Sequence, residues 1–254
     1  MQELNGKAAI ITGASRGIGA ATARELARHG VKVLLVARTL AAIEAGAQDI
    51  RDAGGTAQAL ARDVSRYDDV AAAVEYCRST LGRVDILVNN AGVIEPITRL
   101  AESDPEQWSR AVDINYKGVY YGLRAVIPVM LAQGSGVIVN ISSGAATSAL
   151  DGWSQYCSAK AAALALTRCA DKEYRACGIR VLGLSPGTVA TDMQVLIKAS
   201  GINPVSKLDP SVHIPADWPA RAVAWLCTED AAEFCGTDFS LKDPENRRRV
   251  GLID

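Results

Sequence analysis

The sequence predicts a doubly wound α/β fold, in which one seven-stranded parallel sheet is covered by helices on both faces. Short apolar runs rich in β-branched residues alternate with helical patterns along the chain, as in successive βαβ units. The middle runs are almost unbroken in their apolar character, which is typical of strands buried on both faces. A length of 254 residues with 49% hydrophobic composition fits a single α/β domain over 1–254 with a sizeable core.

The strand pattern recurs seven times. The predicted strands cover 7–12, 31–37, 56–61, 84–89, 136–142, 179–185 and 237–241. In the helix after the first strand, Ile18, Ala21 and Leu26 share one face and Gly30 stands where a C-cap is expected. Later helical patterns cover 40–53, 67–81, 105–131 and 154–177. Residues 191–219 hold several prolines and no clear period, so we expect a substrate lid there.

Composition excludes several classes of function. Lys plus Arg is 27 and Asp plus Glu is 28, a net charge of −1 that supplies no basic field for nucleic acid. The longest uncharged stretch, 125–150, is broken by Pro128 and by a Ser/Thr/Gly cluster, so no membrane span is expected.

The first residues lack the charged and apolar regions of a leader, which favours a cytoplasmic protein. The cysteines show no paired spacing, and we expect no metal site.

A glycine-rich turn links the first predicted strand to its helix. Gly13, Gly17 and Gly19 lie within 12–19, and a helix follows at once. Glycines permit a tight turn and let backbone N–H groups approach an anionic phosphate at the positive end of the helix. The spacing is not the Gly-x-Gly-x-x-Gly of the usual dinucleotide fingerprint. Taken alone, the turn favours a phosphate cradle, with an ordinary strand-to-helix connection as the alternative.

Later motifs give the turn its context, and with them the sequence resembles the short-chain dehydrogenase/reductase family. The turn at 12–19 resembles that family's cofactor turn, Asn-Asn-Ala-Gly at 89–92 its motif after the fourth strand, and 156–160 its Tyr-x-x-x-Lys. Ser143, thirteen residues before Tyr156, and Ser-Pro-Gly-Thr at 185–188 agree in order and spacing over about residues 5–240. The resemblance implies a Rossmann-like fold and an enzyme that transfers hydride between NAD(P) and a carbonyl or secondary alcohol. It also implies a homodimer or homotetramer.

The resemblance assigns catalysis to Asn115, Ser143, Tyr156 and Lys160. Tyr156 and Lys160 are four residues apart in a helix, so they project from one face. An ammonium beside a phenol is expected to lower the phenol's pKa toward the neutral range. Ser143, selected over Ser142 by the family spacing, would orient the substrate oxygen. In the family, the backbone carbonyl at Asn115 holds a water that passes protons to Lys160; an Asn that merely interrupts a helix is the alternative.

Charge at the end of the second strand predicts the cofactor. Ala37 stands where NAD-preferring relatives usually carry Asp, and Arg38 follows it. Arg16 and Arg38 would together clamp a 2′-phosphate, which predicts NADP with NAD as the alternative. The alternative interpretation is that both arginines are solvated surface charges. The predicted cofactor contacts are Gly13, Ser15, Arg16, Gly17, Ile18, Gly19, Arg38, Asp63, Val64, Asn89, Ala91, Gly92, Tyr156, Lys160, Pro186, Gly187, Thr188, Val189 and Thr191.

The predicted substrate contacts, Ala145, Trp153 and Met193, are apolar or only weakly polar. Because no Lys or Arg stands out as a carboxylate anchor, a neutral small-molecule substrate is favoured: a ketone, aldehyde, secondary alcohol or 3-oxoacyl thioester. Trp153 is read equally as a pocket wall or as simple packing. An NAD-dependent secondary alcohol dehydrogenase and a non-catalytic dinucleotide-binding protein are the alternative functions. The basic tail at 247–249 is a solvated end, a subunit contact or a phosphate contact.

Overall fold

The computed structural model describes all 254 residues and confirms the predicted sheet. Seven parallel strands lie in the order β3-β2-β1-β4-β5-β6-β7. They are β1 Ala8–Thr12, β2 Lys32–Ala37, β3 Ala57–Ala61, β4 Ile86–Asn89, β5 Gly136–Ile141, β6 Ile179–Ser185 and β7 Asp238–Ser240. Strand order reverses at β1, which pairs with β2 on one side and β4 on the other. In such sheets ligands bind outside the carboxyl ends of the strands at this point.

Nine α-helices accompany the sheet. They are α1 Gly17–Arg28, α2 Leu40–Asp52, α3 Tyr67–Leu81, α4 Pro105–Val112, α5 Gly118–Gln133, α6 Ser154–Tyr174, α7 Asp192–Ser200, α8 Asp217–Leu226 and α9 Pro244–Arg249. Apolar side chains of α1, α2 and α8 cover one face, and those of α3, α5 and α6 cover the other. Successive β1 residues alternate between these layers: Ala9 and Ile11 join the first, Ala8 and Ile10 the second. None of the helices is long and apolar enough to cross a lipid bilayer.

The helix predicted over 105–131 contains a change of helix type. A π-helical turn, Asp113–Lys117, joins α4 to α5, and the Gly118 N–H donates to the Asp113 carbonyl five residues back. The helix is thus widened at Asn115 without being broken. Short π-helical insertions of this kind often occur at functional sites.

The segment 191–219 is more regular than its prolines suggested. It contains α7, the 3₁₀ turns Pro204–Lys207 and Pro210–Val212, and the start of α8. Pro204 and Pro210 begin their turns and Pro219 lies in the first turn of α8. A missing N–H costs nothing in a first turn, so these prolines start elements and do not break them.

The basic tail folds back onto its own chain as α9. The Arg247 guanidinium donates to the Leu241 carbonyl and lies 5.4 Å from the Trp218 ring. Arg249 pairs with Glu233 at 2.6 Å. These intramolecular contacts show that the tail is not a free solvated end.

Candidate active site

The turn between β1 and α1 leaves room for backbone only. Gly13 and Gly17 have φ values of +63° and +56°, which L side chains rarely adopt. A Cβ on Gly13 would lie 2.7 Å from the Ala91 Cα, and one on Gly19 would lie 2.4 Å from the Gly13 carbonyl oxygen. The N-cap residue of α1, Arg16, caps no N–H with its side chain. The first N–H groups of α1 therefore stay available, and this cradle fits the pyrophosphate of a dinucleotide.

Asn90 and Thr12 hold the turn in place. The Asn90 side-chain amide donates to the carbonyl oxygens of Thr12 at 2.9 Å and Gly13 at 3.1 Å. The Thr12 hydroxyl accepts from the backbone N–H groups of Asn90 and Ala91 at 3.0 and 3.1 Å. Neither residue was among the predicted site residues, although both lie inside the two motifs that predicted the site.

Asn89, a predicted cofactor contact, is a buried tie between elements. Its amide donates to the Asn140 Oδ1 at 2.9 Å, and the Asn140 amide donates to the Thr167 hydroxyl at 2.9 Å. This chain of hydrogen bonds joins β4, β5 and α6 beneath the site.

The two arginines predicted to act together have different surroundings. The Arg16 guanidinium pairs with the Asp192 carboxylate at 2.9 Å, with both side chains largely exposed. Arg38 is exposed at the end of β2 and takes part in none of the chain's ion pairs. Arg16 therefore links the glycine turn to α7, whereas Arg38 remains the uncommitted cation.

Asp63 anchors the loop after β3. Its carboxylate accepts from the Ser65 N–H at 3.0 Å and the Ser65 hydroxyl at 2.8 Å. Burial raises the pKa of Asp63, but these bonds and the charges of Arg38 and Arg110 outweigh it, so the pKa is lowered. Its neighbour Val64 is buried in a small apolar cluster. Asp63 is thus an ionised acceptor close enough to Arg38 to feel its charge.

The segment after β6 faces the glycine turn. A Cβ on Gly17 would lie 3.2 Å from the Thr191 Cγ2, and Val189 forms a parallel bridge with Ile214. The predicted contacts Pro186, Gly187 and Thr188 lie in this same segment. The structure therefore brings the two predicted cofactor segments next to each other at Gly17 and Thr191.

Ser143, Tyr156 and Lys160 meet at the carboxyl end of β5. The Ser143 hydroxyl is close enough to the Tyr156 phenol to lower its pKa, and the Ser143 oxygen accepts from the Ala145 N–H at 3.1 Å. The Lys160 ammonium donates to the Ile141 carbonyl at 2.6 Å and lies 5.6 Å from the centre of the Tyr156 ring. Both Tyr156 and Lys160 are buried. The end of one strand thus positions all three side chains.

The expected lowering of the tyrosine pKa is wrong for this arrangement. Burial raises the pKa of Tyr156 to about 12, although the neighbouring Ser143 hydroxyl opposes the rise. Burial also lowers the pKa of Lys160 to about 8, against the charge of Asp238. The Lys160 ammonium is directed at the Ile141 carbonyl, so desolvation decides both values. Tyr156 is accordingly a protonated phenol across the physiological range.

Asp238 on β7 is a charged group that the sequence analysis missed. Its Oδ2 accepts from the Ser142 hydroxyl at 3.1 Å, while its buried Oδ1 has no hydrogen-bond partner. Burial raises its pKa to about 6, against the hydrogen bond from Ser142 and the positive charges of Lys160 and Arg168. The only available signal was an acidic residue at the start of a predicted strand.

Asn115 is fully buried in the π-helical turn. Its Oδ1 accepts from the Val93 N–H and its amide donates to the Val93 carbonyl, both at 2.8 Å. A Cβ on Gly92 would lie 3.1 Å from the Asn115 Oδ1 and 4.0 Å from the Lys160 Nζ. Asn115 therefore ties down the loop after β4 close to Lys160. Its part in a proton relay stays a prediction.

The predicted substrate contacts gather around Tyr156. Ala145, Trp153, Tyr156 and Ile197 belong to one buried apolar cluster, against which Met193 packs. The Trp153 ring meets the Tyr156 ring edge-on at 5.7 Å. Met193 and Ile197 come from α7, so the segment predicted as a lid contributes to the wall beside the phenol.

The chain is similar to known proteins over most of its length. The short chain dehydrogenase family model matches residues 7–200. Cyclohexanol dehydrogenase from Acinetobacter sp. (strain SE19) is 32% identical over 240 residues, 93% of this chain and 94% of the relative. An NAD⁺-bound xylitol dehydrogenase superposes with a TM-score of 0.87 at 26% identity, over 94% and 98% of the two chains. A metagenomic short-chain oxidoreductase in complex with NADP gives 0.78 at 34% identity, over 92% and 96%.

Proposed function

Since this chain belongs to the short-chain dehydrogenase/reductase family and is an oxidoreductase that acts on alcohols or ketones with NAD(P), we propose that it uses NADP. The hydride would pass between NADPH and an apolar carbonyl compound or the matching secondary alcohol. The observation that carries the proposal is the meeting of Ser143, Tyr156 and Lys160 at the carboxyl end of β5, the same sheet edge as the glycine cradle.

The cradle supplies the cofactor site. The N–H groups at the start of α1 would bind the pyrophosphate, and Arg38 would bind the 2′-phosphate of the adenosine ribose. Lys160 would hold the nicotinamide ribose. The chemistry that a bound dinucleotide supplies there is hydride donation to, or acceptance from, the carbonyl carbon.

The side chains move the proton. In reduction the protonated Tyr156 hydroxyl donates to the carbonyl oxygen, and Ser143 stabilises the charge that develops on that oxygen. The nearby Lys160 ammonium stabilises the phenolate left behind, and Asn115 would help to return a proton through Lys160. In oxidation the steps run in reverse: Tyr156 first gives up its own proton through Lys160, and the phenolate then accepts the proton of the alcohol. Burial of Tyr156, Lys160 and Asn115 strengthens each electrostatic interaction among them.

We also propose 191–219 as the substrate lid. Met193 and Ile197 place its helix against the cluster around Tyr156, and Asp192 joins it to Arg16 of the glycine turn. The lid thus contacts both the cofactor cradle and the catalytic phenol.

We propose that the subunits assemble as a homodimer or homotetramer through α5 and α6. Tyr120 and Leu131 on α5 expose large apolar side chains, and α6 exposes the small residues Ala161 and Ala165. A flat surface of this kind suits close helix packing between copies. Light scattering should give two or four times the chain mass of 26.8 kDa, and a monomer would contradict the proposal.

A panel of carbonyl compounds tests the proposed function. Cyclic ketones, 3-oxoacyl thioesters, steroids, quinones and sugars would each be offered with NADPH and with NADH, and coenzyme absorbance followed. We expect at least one ketone to be reduced, with a higher kcat/KM for NADPH. Faster turnover with NADH would favour the NAD-dependent alternative, and tight coenzyme binding without any turnover would favour a non-catalytic binding protein.

A further inference from the structure

Lys242 lies beside the catalytic serine. It follows β7, and its aliphatic stem passes the loop after β6, where a Cβ on Gly187 would lie 3.6 Å from the Lys242 Cγ. Its ammonium reaches the residue after Ser143: a Cβ on Gly144 would lie 3.4 Å from the Lys242 Nζ. Because neighbouring Cα atoms are about 3.8 Å apart, the ammonium stands within a small molecule's length of the Ser143 hydroxyl.

The charge of Lys242 is not neutralised within the chain. Lys242 is exposed and takes part in none of the ion pairs. The adjacent Asp243 carboxylate accepts from the Glu245 N–H at 2.9 Å and caps α9. Asp238, on the same strand, accepts from the Ser142 hydroxyl. Neither of these neighbouring carboxylates pairs with the Lys242 ammonium.

The root of Lys242 is held by α9. The Asn246 amide donates to the Ser240 carbonyl at 3.0 Å, and Arg247 donates to the Leu241 carbonyl. The Lys242 N–H donates to the Ser240 hydroxyl at 3.2 Å. The tail thus fixes the backbone that carries Lys242. Because the backbone at Lys242 is already ordered, the side chain loses less entropy when it binds a ligand.

We infer that Lys242 recognises a carboxylate on the substrate, so the physiological substrate is an oxo acid or the corresponding hydroxy acid. This inference rests on the proposed function and adds the substrate's charge to it. The other residues around Tyr156 form an apolar wall, and a single cation at its edge orients a substrate that carries one anion. No other side chain comes within 4 Å of a Cβ built on Gly144 or Gly187, so Lys242 is the charged side chain at this point of the site.

The inference departs from the sequence-based expectation of a neutral substrate. That expectation rested on the lack of a basic residue among the predicted substrate contacts. The lysine lies 99 positions after Ser143 and belongs to no motif, so only the fold brings the two together.

Matched substrates and charge variants test the inference. Several oxo acids, each with its methyl ester, would be assayed with NADPH: 4-oxocyclohexanecarboxylate and 3-oxobutanoate are suitable. The wild-type enzyme should prefer an acid over its ester by about tenfold or more in kcat/KM, the effect expected of one charge-assisted hydrogen bond. Lys242→Gln should remove most of this preference and Lys242→Glu should reverse it, with ester turnover unchanged within about twofold.

A second lysine serves as the control. Lys172, near the end of α6, is exposed and lies about 18 Å along the helix from Lys160. Lys172→Gln should keep the acid preference. Equal acid-to-ester ratios in the wild type and Lys242→Gln would overturn the inference. So would a weaker NADPH affinity in Lys242→Gln with an unchanged ratio, because Lys242 would then serve the coenzyme. If the wild type reduces no carbonyl compound at all, the proposed function fails first.

Discussion

The sheet edge that carries the site has a cofactor half and a catalytic half, and the two halves are built from different kinds of chemical group. At the cofactor half, between β1 and β4, backbone groups and neutral side chains hold the cradle: Gly13, Gly19, Asn90 and Thr12 carry no charge. At the catalytic half, between β5 and β7, buried ionisable side chains crowd together. A cradle of backbone dipoles keeps its shape at any pH, whereas a cluster of buried acids and bases changes with pH. Coenzyme binding and turnover should therefore respond differently to the same perturbation.

Substitution of Gly19 should have the largest effect on coenzyme binding. In Gly19→Ala the new methyl group would collide with the Gly13 carbonyl oxygen at 2.4 Å and the Asn90 amide nitrogen at 2.5 Å. Overpacking of this kind costs about 1–3 kcal/mol, so NADPH affinity should fall about 10- to 100-fold. Calorimetric titration with NADPH measures this loss of affinity. Gly46→Ala in α2, where the Cβ meets only the Leu35 side chain at 3.4 Å, is the control and should bind normally.

Substitution of Arg38 should have the next largest effect on coenzyme binding, and substitution of Arg16 should have a smaller one. Arg38→Gln is expected to weaken NADPH binding about tenfold and to leave NADH binding within about twofold, since one charge-assisted hydrogen bond is lost. Arg16→Gln should change NADPH affinity less than about threefold, because its exposed pair with Asp192 contributes little. Equal losses in the two variants would instead support the paired clamp.

Substitution of Asp238 should change the pH dependence of turnover and leave coenzyme binding nearly unchanged. Its charge supports the protonated form of Lys160, whose pKa is about 8. In Asp238→Asn that pKa should fall, and the alkaline limb of the kcat/KM profile should move to lower pH by up to about one unit. NADPH affinity at neutral pH should stay within about twofold. An alkaline limb at the same pH as in the wild type would show that Asp238 does not influence the pKa of Lys160.

Stability provides a second readout for the same variant. Burial raises the pKa of Asp238 from 3.8 to about 6, so the folded state binds more protons than the unfolded state within that window. This carboxylate therefore costs the wild type stability as pH rises through the window. The Tm of Asp238→Asn minus that of the wild type should increase between pH 4 and pH 7. A constant difference would contradict the raised pKa.

The sequence predicted the parts of the site that local patterns encode. The strand runs predicted the sheet, and the spacing of Ser143, Tyr156 and Lys160 predicted residues that the fold indeed brings together. Asp238 and Lys242 could not be found this way, because their roles depend on the pairing of β6 with β7 and on the fold of the tail. Similarly, the direction of the Tyr156 pKa shift depends on burial and on where the Lys160 ammonium points, neither of which a four-residue spacing contains.

The central claim is that the buried, protonated phenol of Tyr156 delivers the proton beside the reacting carbonyl. The most direct test measures NADPH binding and single-turnover reduction in Tyr156→Phe, with any ketone that the wild type reduces. Loss of the hydroxyl should leave NADPH affinity within about threefold and lower the reduction rate by about 10²- to 10⁴-fold, the usual contribution of a general acid. A Tyr156→Phe enzyme that reduces the ketone within about tenfold of the wild-type rate would contradict the claim.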